Sequence, residues 1–292
     1  MSKVKVKEEK CNLAEKAMLV QLQMGVWMGH SRDAVVSEQV QAEKGAERDT
    51  GSWWTYLIPR NDLKKVLSAY NKCRGLFNTL TLPWNDNGVR ILPAAMFMKY
   101  SEDMRKGLAE YDEAVEEFVL DYPNIIQLAV TRLGKLAETR HIPSAEEIRP
   151  KFHHRVDIYP LPSASDFRVT LSDDEVKDIK AQITSTIEAK TNEAVLSVWE
   201  NLVQLVQKVT DTLGNPDKKF KDSLIGNLRD YCELLPNMNI TGDTRLEEMR
   251  KIVVEKLTTC PTEVLRLVPQ KRKEIHNDAK DALEKIKEYS GL

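Results

Sequence analysis

The sequence predicts a mainly α protein: an elongated antiparallel helical hairpin or bundle with a small three-stranded β-sheet at one end. Three observations carry this. Gly and Pro number only 12 each in 292 residues, too few for the many turns of a sandwich or barrel and for the strand ends of a doubly wound sheet. Apolar residues recur every three to four positions through two very long stretches, 93–139 and 172–213. Strict alternation is confined to three short runs, the strands of the expected sheet.

Residues 1–16 read as a flexible tail. Its lysines are diluted by Glu8, Glu9 and Glu15, and no apolar core follows them, so it does not resemble a signal peptide. The region 17–213 is expected to hold the hairpin and the sheet, and 214–292 to form a C-terminal helical region. Val20, Leu22, Met24 and Val26 alternate with polar residues across 18–28, which predicts a half-buried strand. Residues 31–52 are polar and read as an exposed excursion with a short helix. Trp53, Trp54 and Tyr56 then lead to Pro59.

A helix capped by Asn61 or Asp62 is expected to bury Leu63, Val66, Leu67, Tyr70, Cys73 and Phe77. It stops before Thr81-Leu82-Pro83-Trp84-Asn85-Asp86-Asn87-Gly88, which has turn chemistry. Pro93 suits the first turn of the next helix. Met96, Tyr100, Met104, Leu108, Tyr111, Val115, Phe118 and Tyr122 form its stripe, and Pro123 is expected to interrupt or restart it. Ser144 and Glu147 make a capping-box pattern that ends at Pro150.

Alternation returns in 155–159 and 167–171, the two remaining strands. Ser172 and Glu175 then open the longest periodic run, which Gly214 and Pro216 stop. A helix over 172–213 would be about 60 Å long at ~1.5 Å per residue. Its stripe lapses once, at Lys190 and Thr191. Such a stripe needs a partner, and we expect Ile183, Ile187, Val198, Leu202 and Leu205 to pack on the segment Met104 to Phe118. A homodimeric coiled coil is the alternative way to bury it. Shorter helices follow, marked by Phe220, Leu224, Leu228, Tyr231 and Leu235, then Leu246, Met249, Val253 and Leu257, then Ile275, Ala279, Leu283, Ile286 and Tyr289.

Charge and cysteine content bound the function. A formal net charge of −2 excludes a globally basic nucleic-acid coat and a globally acidic mimic, while leaving room for local patches. Cys11, Cys73, Cys232 and Cys260 form no C-x-x-C pair and read as reduced intracellular thiols. No apolar run approaches the ~18 residues of a membrane span, so the expected location is cytoplasmic.

Enzyme signatures are missing. The sequence has no Walker phosphate loop, no G-x-G-x-x-G, no nucleophile elbow and no H-E-x-x-H. Asp86-Asn87-Gly88 lacks the remaining ligands of a calcium loop and reads as a turn. His153 and His154 are adjacent, and neighbours on a strand point to opposite faces, so one is expected half-buried and one solvated. His30, Ser31 and Asp33 permit an acid–base pair but no second constellation supports a hydrolase. No catalytic residue, metal ligand or cofactor is assigned.

One cluster stands out. Glu102, Asp103, Glu110, Asp112, Glu113, Glu116, Glu117 and Asp121 fall within 101–121 against only Arg105 and Lys106. Charge runs are usually solvated helix faces, but this imbalance makes the eight carboxylates the candidate partner-binding face. Trp53, Trp54 and Trp84 could stack bases, but no arginine-rich surround accompanies them, so buried packing in the core or the small sheet is expected.

Several segments resemble one family. Val26-Trp27-Met28-Gly29-His30, the run from Leu82-Pro83-Trp84-Asn85-Asp86-Asn87-Gly88 through Val89-Arg90-Ile91-Leu92-Pro93-Ala94-Ala95, and Asp166-Phe167-Arg168-Val169 before a long helix are similar to the domain-of-unknown-function family 3150 of tailed bacteriophages and prophages. The resemblance runs in order from about residue 17 to 213. Members tend to carry a basic residue after the Trp-x-Gly, where this chain has His30, with Arg32 two positions on. The resemblance implies a helix-rich phage protein acting in the host cytoplasm, with no established activity. It also implies a gene neighbourhood with a MoxR-type AAA+ ATPase and a von Willebrand A-type protein. The expected function is therefore a non-enzymatic phage interaction or adaptor protein working with such partners. The alternative is a nucleic-acid-binding or host-defence-modulating phage protein, for which the lysine tail, Trp53-Trp54 and Lys271-Arg272-Lys273 are the support.

Overall fold

The computed structural model describes residues 13–138, 140–163 and 173–292. The chain is mostly helical. It runs α1 (Leu13–Lys16), β1 (Ala17–Gly25), β2 (His30–Asp33), α2 (Ala34–Lys44), β3 (Trp53–Tyr56), α3 (Lys64–Leu80), β4 (Leu82–Pro83), β5 (Val89–Pro93), α4 (Phe97–Leu133), α5 (Lys135–Glu138), α6 (Ala145–Ile148) and β6 (His153–Pro160). After 164–172 come α7 (Asp173–Leu213), α8 (Ser223–Met238), α9 (Thr244–Leu257), α10 (Thr262–Leu267) and α11 (Pro269–Ser290).

Two sheets are present among the described residues. One has four strands in the order β4-β5-β1-β6, and the other pairs β2 with β3. The expected three-stranded sheet is corrected to four. The additional strands, β4 and β5, flank the Asn85–Gly88 turn, and β5 pairs antiparallel with β1 from Ala17↔Pro93 to Gln21↔Val89. The strand expected over 167–171, and the capping residue Ser172, lie outside the described residues. So do the first twelve residues of the tail.

The fold divides into two compact units interleaved in sequence. The first contains residues up to 21, 78–100 and 157–292; the second contains 22–77 and 101–156. Residues 214–292 therefore share a unit with α7.

In the first unit, α7 is the backbone. Ala194, Val198, Leu202, Val206, Val209 and Leu213 are buried, and α7 packs against α11, α8 and the short β4. Ile183, Ile187 and Leu205 are only half-buried. This corrects the expected hairpin: the stripe is covered by elements of its own unit, whereas Tyr111, Val115 and Phe118 lie in the core of the second. Periodicity shows that a helix has an apolar face but does not name what covers it. The end of α7 is held by polar contacts. The Arg272 guanidinium donates to the carbonyls of Thr212 (2.9 Å) and Leu213 (3.1 Å), satisfying acceptors that a helix C-terminus leaves open. The stripes expected for α8, α9 and α11 are buried at Leu224, Leu228, Leu235, Leu246, Met249, Val253, Leu257, Ile275, Ala279, Leu283 and Ile286.

The Asn85–Gly88 turn, also in this unit, works as its chemistry predicts. The Asn85 side chain accepts from the backbone N–H of Asn87 (3.1 Å) and Val89 (3.2 Å).

In the second unit, α4 supplies Tyr111, Ala114, Val115, Phe118, Tyr122, Ile125 and Ala129 to a core shared with Trp27, Leu57, Ile58, Leu63, Val66, Ile148 and Phe152. Trp27, Phe118, Tyr122 and Phe152 are its aromatic centre, with Trp27 and Tyr122 edge to face at 5.7 Å. Pro123 does not interrupt α4, which is one helix of 37 residues. An interior proline costs on the order of 3 kcal/mol, and here the neighbouring Tyr122 and Ile125 are both buried, so packing on either side of it offsets that cost.

Candidate functional site

Three surfaces of the second unit bear on function. The first is the acidic face of α4. Glu102, Glu110, Asp112, Glu113, Glu116, Glu117 and Asp121 are exposed and Asp103 is half-buried. Neighbours partner many of them. On one shoulder, Glu110 pairs with Lys72 and Glu117 with Lys65, both from α3. The seven-residue steps match because the helices run antiparallel. On the other shoulder, Asp112 meets His154 at 3.0 Å and Glu116 pairs with Arg149. Glu102 pairs with Lys106 one turn on at 2.6 Å, and that hydrogen bond holds its carboxyl below the ordinary range. Asp121 accepts from Asn124 at 2.9 Å. Glu113, on the crown between the shoulders, has no partner among the described residues. Beyond it stand Leu120 and Leu128, 84% and 73% exposed.

The second surface is a cleft of about 390 Å³ lined by Trp27, His30, Ser31, His141, Glu147 and Lys151, among others. Its wall is built by α6. The capping box read from the sequence is present: Glu147 N–H donates to Ser144 Oγ (3.3 Å) and Ser144 N–H to Glu147 Oε2 (2.7 Å). The Ser144 backbone bond, with a second contribution from His141 at 2.9 Å, keeps the Glu147 carboxyl below its usual range. Ser31 and His30 reach the cleft, but Asp33 does not join them. It caps α2 by accepting from Val36 N–H (3.0 Å) and forms a buried ion pair with Arg140. The candidate acid–base pair is therefore not assembled: Asp33 is engaged in holding the fold.

The third surface is the β2–β3 ribbon. Gly29, at φ 67°, turns the chain from buried Trp27 into β2; a Cβ there would approach Leu63 Cδ1 to 2.8 Å and Ile58 Cγ1 to 2.9 Å. Arg32 lies opposite Trp54 and His30 opposite Tyr56. Alternation puts all four on one face. Trp53 and Trp54 are 50% and 52% exposed, which corrects the expectation of buried packing: both lie in a small sheet, Trp54 on the face of Arg32 and Trp53, opposite Asp33, on the other.

Other sequence-level candidates resolve as structural. His153 is exposed and His154 half-buried, as strand geometry requires. Lys271 pairs with Glu274 at 2.7 Å and Arg272 caps α7, so two of the three residues of that basic cluster are engaged within the chain. Trp84 is half-buried beside the turn. Among the described residues, no group of three His, Cys, Asp or Glu is placed to hold a metal ion, and no helix is long and apolar enough to cross a membrane.

Sequence reasoning missed the surroundings of the tryptophans. Arg60 and Arg132 contact Tyr56 in the same strand; Arg60, four residues on, left a trace in the sequence, whereas Arg132 arrives through tertiary structure alone. Comparison with known proteins returns no match to a family model, a curated protein or a solved structure.

Proposed function

We propose that this chain is a protein-interaction module, an adaptor that docks a partner on the crown of α4. The observation that carries the reading is the composition of that crown: Glu113 without a partner, followed by exposed Leu120 and Leu128. A basic, amphipathic partner segment complements such a strip, because apolar contact supplies affinity and charge supplies orientation. The shoulder carboxylates are already tied to Lys65, Lys72, Arg149 and His154, so they frame the strip and hold α4 in place. The resemblance to family 3150 points to a phage protein in the host cytoplasm, with a MoxR-type AAA+ ATPase or a von Willebrand A-type protein as the partner.

Co-expression with candidate partners from the same genome, followed by affinity capture at micromolar concentration, tests this. Association should be lost in Glu113→Lys and Leu120→Asp while both variants keep the parent's thermal unfolding. No association with either partner class, or capture indifferent to both substitutions, would count against it.

A further inference from the structure

We propose that the outer face of the β2–β3 ribbon binds single-stranded nucleic acid, with bases stacking on Trp54 and phosphates held by Arg32, Arg60 and Arg132. This surface centres on the ribbon, takes only Arg132 from α4, and goes beyond the adaptor reading.

The ribbon face presents aromatic rings and guanidinium groups together. Trp54 is 52% exposed, so one of its ring surfaces is open to a stacking partner. It is braced rather than loose: the His30 ring stands perpendicular to it, with centroids 5.0 Å apart, and perpendicular to Tyr56 at 5.5 Å. A braced ring loses little freedom when a second flat ring lies on its open surface.

The cations are also placed. The Arg60 guanidinium lies over the Tyr56 ring, 4.2 Å from its centroid, and bonds the Tyr56 hydroxyl. Arg132 donates to the Tyr56 carbonyl at 2.9 Å. Arg32 is directly across from Trp54. All three are exposed, and none is paired with a carboxylate among the described residues. That sets them apart from Lys65, Lys72 and Arg149 in the same unit, each of which has a carboxylate partner.

A ligand complementary to this face alternates flat rings with negative charge, which is the chemistry of a polynucleotide. A duplex offers its phosphates but hides the faces of its bases, so a strand with unpaired bases fits better. The mode needs no base-edge readout and should be tolerant of sequence.

The test uses the full chain and fluorescein-labelled dT15 and rU15 oligonucleotides, followed by anisotropy and by quenching of intrinsic tryptophan emission. We expect saturable binding to one or both at low salt, weaker binding to a duplex of equal length, and quenching on association. Trp54→Ala should weaken binding by roughly 10-fold or more, and Trp54→Phe should restore most of it. Arg32→Gln and Arg60→Gln should each flatten the log–log salt dependence by about 0.7. These side chains are exposed, so unfolding curves matching the parent should accompany each variant. The proposal is overturned by absence of saturable binding below about 100 µM. It is equally overturned if Trp54→Ala binds like the parent, or if inorganic polyphosphate competes as well as unlabelled oligonucleotide.

Discussion

The hydroxyl of Tyr122 donates a 2.9 Å hydrogen bond to the carbonyl of Pro143. Tyr122 comes from the middle of α4 and is buried, and burial pushes its phenol well above the ordinary range. Pro143 forms part of the wall of the cleft that His30 and Glu147 line. One side chain therefore joins the core of the second unit to the wall of its cleft.

Tyr122→Phe keeps the ring and removes this bond. The Pro143 carbonyl then loses its buried donor. We expect a loss of about 1 kcal/mol in urea unfolding. A neutral result would mean that water replaces the hydroxyl at this wall.

The second prediction separates the two halves of α7. Leu202 is fully buried, so Leu202→Ala should cost on the order of 2–5 kcal/mol. Ile183 is only half-buried, and Ile183→Ala should cost on the order of 1 kcal/mol or less, since less area leaves water. Denaturant midpoints of the two variants measure the difference. Equal, large losses would mean that a further partner covers the N-terminal half of α7.

Gly25 closes β1, and its carbonyl accepts a 2.6 Å bond from the Tyr111 hydroxyl. A Cβ there would run into the His153 ring and sit 2.8 Å from the Lys151 carbonyl oxygen. The backbone oxygen cannot step aside as a flexible side chain could. Gly25→Ala should destabilise by about 1–3 kcal/mol, the usual range for overpacking, read as a lowered thermal midpoint.

The thiols give a pH-dependent prediction. Burial raises the Cys73 thiol to about 11 and the Cys232 thiol to about 12. Both should resist iodoacetamide at pH 8 in the native protein, while the partly exposed Cys260 is labelled. Because the folded values lie above the ordinary thiol value of 9.0, their contribution to stability is full below pH 9. It declines as the pH rises from there toward the folded values, since the unfolded chain deprotonates first. Mass spectrometry after native and denatured alkylation checks the labelling, and unfolding between pH 8 and 10.5 checks the sign.

The sequence by itself determined the parts that rest on local chemistry. Gly214 and Pro216 end the periodic run of α7, whose last residue is Leu213. Ser144 and Glu147 make their capping box, and the Asn85–Gly88 turn closes on the Asn85 side chain. These signals act within a few residues, so they survive without knowledge of the rest of the chain. Tertiary structure decided what lies across from each element. It chose α8 and α11 to cover α7, kept α4 helical through Pro123, paired Glu110, Glu116 and Glu117 of the acidic face with Lys72, Arg149 and Lys65, and set Asp112 beside His154. It also opened Trp54 to solvent across from Arg32 and brought Arg60 and Arg132 to Tyr56 in the same strand. The physical reason is that periodicity records that a face is apolar or charged. The partner of that face is set by packing among segments far apart in sequence, and no window along a single chain records it.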